Sequence, residues 1–113
     1  MPVTRNQPEW MEDPTKPFKG IQWVYVDSGA FYGEHVWLKM IIQPLDGVRY
    51  QLGVKPEDAE DKHLHRVYEL ADQCIKIARE NFTLVEFTLT VNFNHANHSG
   101  IEATLELLIT KKD

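Results

Sequence analysis

The sequence predicts an α+β fold: a mainly antiparallel five-stranded sheet in the order β-β-β-α-β-β, with one long helix packed on one face. Three observations lead there. Residues 84–110 alternate along two arms that meet in the loop Asn94-His95-Ala96-Asn97-His98-Ser99-Gly100, the pattern of a half-buried hairpin. Residues 56–80 repeat apolar positions at the three-and-four spacing of one helix face. Residues 21–54 hold shorter apolar runs separated by turn signals.

Taken in order, residues 1–20 contain Pro2, Pro8, Pro14 and Pro17 and no hydrophobic period, so they read as an irregular proline-rich arm before a single domain over 21–113. The arm also carries Trp10, Met11 and Phe18, residues that a purely solvated tail would lack, and is therefore expected to dock. Residues 21–27 read as a first strand, with Ile21, Trp23 and Tyr25 on one face and Gln22, Val24 and Val26 on the other. The link Ser28-Gly29-Ala30-Phe31-Tyr32-Gly33 supplies glycines for a reversal into a second strand over about residues 34–43. Pro44-Leu45-Asp46-Gly47 is a turn signal, and Val48, Tyr50, Leu52 and Val54 alternate along a third strand.

Pro56 suits the first helical position, and Glu57, Asp58, Glu60 and Asp61 complement the positive end of the helix dipole. Leu64, Val67, Ala71, Cys74, Ile75 and Ala78 form the buried stripe, with Asn81 suited to a left-handed cap. About 24 residues of helix span roughly 36 Å, long enough for a parallel crossover, so a β-grasp-like mixed sheet is the alternative topology. In the closing hairpin Val85, Phe87, Leu89, Val91 and Phe93 are expected on the core face of one arm. Ile101, Ala103, Leu105, Leu107 and Ile109 occupy that face on the other.

A chain of 113 residues buries roughly 65% of its unfolded surface and folds without metals or disulfides. Its 42% hydrophobic and 11% aromatic content excludes disorder of the whole chain. Cys74 is the lone cysteine and lies on the apolar stripe, which makes it a core thiol and excludes an intrachain disulfide. No apolar run approaches the roughly 20 residues of a membrane span, and the first residues lack a signal peptide's apolar stretch, so the expected setting is the cytoplasm. The net charge is −5, with seven acids against four bases over residues 56–82. No basic run exceeds Lys111-Lys112, which argues against nucleic acid as a partner.

One helix covers one face of such a sheet. If Val36, Leu38, Met40 and Ile42 face it, then His35, Trp37, Lys39 and Ile41 face away, and Trp37 and Ile41 call for a cover. The cover is the protein's own arm through Trp10, Met11 and Phe18, another copy of the chain or a protein partner, or a small molecule.

Other candidates are weaker. His95 and His98 are spaced as two metal ligands, with His35 or Glu102 as a third, but Asn94, Asn97 and the histidines equally suit turn backbone. His63 and His65 fall on different helix faces and read as solvated. Asp27, Ser28, Glu34 and His35 bring an acid, a hydroxyl and an imidazole to one hairpin, which is chemistry only if they converge. Asn81-Phe82-Thr83 and Asn97-His98-Ser99 match a glycosylation pattern without an export signal. No motif implies a cofactor. The expectation is thus a small non-catalytic interaction module that self-associates or binds a protein through the face opposite the helix. The alternative is a small-molecule or metal-binding protein, or a small enzyme, using His35, His95 and His98.

Overall fold

Strand β1 (Val24–Tyr32) turns back into β2 (His35–Ile42), helix α1 (His65–Asn81) follows, and β3 (Thr83–Asn94) and β4 (Gly100–Thr110) close the chain as a hairpin. The computed structural model describes residues 7–21, 23–43, 65–94 and 100–113. The expected third strand at 48–54, the turn before it and the helix start at Pro56 lie outside these. The described strands form a sheet in the order β1-β2-β4-β3, with every pair antiparallel and α1 on one face. This is the α+β layer arrangement. Among the described strands no parallel pair occurs, so the mixed β-grasp-like alternative gives way to the antiparallel sheet.

The core lies between the sheet and α1. Val36, Leu38, Met40 and Ile42 of β2 and Ala103, Leu105, Leu107 and Ile109 of β4 are fully buried there. They are covered by Val67, Leu70, Ala71, Cys74 and Ala78 of the helix. Leu70 belongs to this stripe although the expected list passes over it; it lies three residues after Val67 and four before Cys74.

Three local features correct the expected strands. The first strand begins at Val24 and continues to Tyr32, because Gly29 is not at the reversal. It sits within the strand opposite Leu38, where a Cβ would come 3.4 Å from the Leu38 side chain. The reversal is the two-residue link Gly33-Glu34 between paired Tyr32 and His35, with Gly33 at φ 62. A glycine first in a two-residue hairpin loop is what a type II′ turn demands. Trp23 does not share a face with Tyr25. Its φ of 64 breaks the alternation just before β1, turning the indole toward the core side, where the Arg66 guanidinium lies 5.0 Å from the ring centroid.

The third feature is at the start of β3. Leu84 pairs with Ile109 and Glu86 with Leu108, so Val85 is an extra residue in a bulge. Val85 is accordingly 50% exposed rather than in the core, and Leu84 packs against the core instead. From Phe87 onward the expected phase returns, Phe87, Leu89 and Val91 pairing with the core residues Leu107, Leu105 and Ala103.

The arm docks, as its aromatics imply, but on the helix side of the sheet. A 3-10 turn over Lys16–Phe18 brings Phe18 to 4% exposure, Met11 is 2% exposed, and the Trp10 ring meets Phe82 at a centroid distance of 5.8 Å. Upstream of that turn the Asp13 carboxylate accepts the Thr15 hydroxyl and N–H at 2.7 and 2.9 Å, which holds its pKa below the usual value.

Asn81 ends α1 without a left-handed backbone; its amide instead donates to the Ile77 carbonyl at 2.9 Å. The last helical carbonyls are met from outside the helix. Lys112 Nζ donates to the carbonyl oxygens of Arg79 and Glu80 at 3.1 and 3.0 Å, placing a cation at the negative end of the dipole. Lys112→Met is expected to lower the urea midpoint by an amount equivalent to about 0.5–1 kcal/mol with an unchanged circular dichroism spectrum.

Candidate functional site

The register of the sheet places the residues of the face turned away from α1. Ala30, Trp37 and Leu108 stand side by side on β1, β2 and β4, with Glu86 of β3 next in the row and the bulge residue Val85 beside it. The next row is Lys39, Glu106 and Thr88, and the one after it Tyr25, Ile41, Thr104 and Thr90. Trp37, Ile41 and Leu108 are only partly buried, although they occupy the two central strands. The expectation that Trp37 and Ile41 face away from the helix therefore agrees with the geometry. Leu108 is the residue missed: the alternation of β4 assigns it to the outer face among Glu and Thr, and its partnership with Trp37 needs the strand order.

The polar groups of this face are mostly acids. Among the described residues, Asp27, Glu86, Glu102 and Glu106 point there with Lys39 as the one cation, its Nζ 4.0 Å from Asp27 Oδ2. Gln43 bridges the far end, donating to Glu102 Oε2 at 2.6 Å and accepting from the Tyr25 hydroxyl at 3.3 Å. That bridge fixes Tyr25, which is exposed, beside Ile41.

Other candidate residues are not brought together here. Trp10 and Phe18 belong to the arm and lie on the helix side of the sheet, so they do not cover Trp37. The Trp10 indole N–H is buried without an acceptor among the described residues. His35 is exposed at the hairpin end of β2, opposite Tyr32. Asp27 neighbours Lys39, four residues along β2 from His35 and roughly 13 Å away at the rise of a strand. Asp27 and the imidazole of that hairpin therefore do not converge. Asn94 ends β3 opposite Gly100, while His95, Asn97 and His98 lie outside the described residues. His65 is exposed, its Nε2 3.7 Å from Glu69 Oε2 on the next helical turn.

Among the described residues, no group of three or more His, Cys, Asp or Glu side chains is placed to hold a metal ion. No described helix is long and apolar enough to cross a membrane. Compared with protein-family models, curated proteins and solved structures, the chain matches none.

Proposed function

We propose that the protein is a non-catalytic interaction module that binds a protein partner through the open face of its sheet. The observation that carries this reading is the pair Trp37 and Leu108, adjacent at the centre of the sheet and only partly buried, with Ile41 two residues along. Contiguous apolar surface on a rigid sheet, rimmed by polar groups, has the anatomy of an interface, and tryptophan is enriched among residues that dominate binding energy. The rim selects the partner's chemistry. Among the described residues, four carboxylates against one lysine favour an apolar surface flanked by Lys or Arg. The excess of acid on this face among the described residues favours a different protein over a second copy stacked on it.

Selection of short displayed peptides on the purified protein tests this. Peptides combining Leu, Phe or Trp with Lys or Arg are expected to emerge, to bind more weakly at higher salt, and to perturb amide resonances of β2 and β4. Trp37→Ala is expected to weaken them by about 2 kcal/mol, roughly thirtyfold, without loss of the fold. Selected peptides that lack basic residues, or that bind Trp37→Ala equally well, would overturn the reading.

A further inference from the structure

The sheet offers a second surface of a different kind. Among the described residues β3 has β4 on one side and no strand on the other, which leaves a row of backbone N–H and C=O groups along an edge. Edges are commonly blunted by proline, lysine or an irregularity. Over its 12 residues β3 has no proline and no basic residue, and its bulge at Val85 lies near the start, leaving the run from Glu86 regular. The opposite edge, β1, differs: a register shift interrupts it between Val26 and Ser28, at the charged Asp27. At the β3 edge Phe87 remains 45% exposed on the helix side of the sheet.

We propose that β3 pairs antiparallel with β3 of a second copy, joining the two sheets about a two-fold axis at Leu89. The occupant is identified by the sequence of the strand itself. With Leu89 opposite its own copy, Thr88 faces Thr90, Phe87 faces Val91 and Glu86 faces Asn92, each pairing occurring twice by symmetry. Threonine pairs and aromatic against β-branched pairs are the favourable cross-strand combinations, and like charges directly opposite are the unfavourable one. Glu86 is the only charged residue on β3 and meets an amide rather than its own copy, so the strand is complementary to itself in charge as well as in shape. The pleat is respected too: Phe87, Leu89 and Val91 stay on the helix side and Glu86, Thr88, Thr90 and Asn92 on the open side. Phe87 is then covered by the partner's Val91. Both helices lie on one face of the joined sheet and both Trp37 surfaces on the other, so the open face stays free for its own partner.

Sedimentation equilibrium at submillimolar concentration tests the proposal. The wild type is expected to reach twice the monomer mass of 13.2 kDa. Thr88 and Thr90 are exposed, and Thr88 lies opposite Glu106 within the chain, so lysines there are compatible with the monomer fold. The T88K/T90K variant sets lysine against lysine across the axis and is expected to sediment as a monomer with a native thermal transition. T88K/T90E carries the same number of substitutions, sets opposite charges across the axis, and is expected to dimerise again, with an affinity that falls as salt rises. A monomeric wild type, or a T88K/T90K chain that remains dimeric, would overturn the proposal. A folded T88K/T90E chain that stays monomeric would overturn the register about Leu89.

Discussion

Replacing Leu105 with alanine is expected to destabilise the fold by about 3–4 kcal/mol, read as a lower denaturant midpoint with an unchanged slope. Leu105 is 0% exposed on a strand with neighbours on both sides, Met40 of β2 and Leu89 of β3, and with α1 above it. The cost exceeds the lost transfer energy because the site cannot collapse: the strands beside it are held by backbone ladders, and the cavity persists. A domain of this size holds about 5–15 kcal/mol in total, so the single change removes a large share. Thr104→Ala, one residue earlier and pointing to the open face, is expected to cost less than about 1 kcal/mol. A Leu105→Ala cost no larger than that of Thr104→Ala would mean that the helix does not seal this face.

That contrast between neighbouring residues follows from a pattern already visible in the amino-acid order. β2 and most of β4 alternate without interruption, so their inward residues can be assigned by counting in twos, and the burial of Val36, Leu38, Met40 and Ile42 agrees. Counting fails where the backbone changes phase. The bulge at Val85 and the left-handed Trp23 each move a side chain to the other face. Neither carries a local signal, since valine and tryptophan are ordinary strand residues and the cause lies in pairing and packing. Gly29 misleads for a related reason. It reads as a turn glycine, yet it occupies a strand where Leu38 approaches closely, and the turn falls on Gly33.

The candidate site divides the same way. Trp37 and Ile41 were legible as outward-facing because they lie on a regular strand. Leu108 was not, because its neighbour Trp37 is some seventy residues away in sequence and only the order β1-β2-β4-β3 brings them together. The arm shows the limit of composition. Trp10, Met11 and Phe18 announce that the segment docks, but which face receives it depends on where the end of α1 leaves a gap beside Phe82. A row of aromatics states how much apolar area must be covered and says nothing of the surface that covers it.

Alkaline solution is expected to destabilise the native state through Cys74. Its side chain is fully buried among the helix stripe and the sheet, and burial pushes the thiol from its ordinary value of 9.0 up to about 12. The folded state thus keeps this proton over a range in which the unfolded chain has lost it. Unfolding releases the proton, so raising the pH favours the unfolded state, with a slope of at most about 1.4 kcal/mol per pH unit that begins near the ordinary thiol value. Tyrosines and lysines titrate in the same range, and the Cys74→Ala variant separates their contribution because it keeps them all. At neutral pH the variant is expected to be the less stable by about 1 kcal/mol, from the lost sulfur contacts. Near pH 10 the two stability curves should cross, the wild type falling more steeply above it. The same burial is expected to shield the thiol from an aromatic disulfide reagent in the native protein, with reaction appearing only as denaturant opens the core. Parallel pH profiles for the two proteins, or prompt labelling of the native thiol, would place Cys74 at the surface, and with it the packing of the middle of α1 against the sheet would fail.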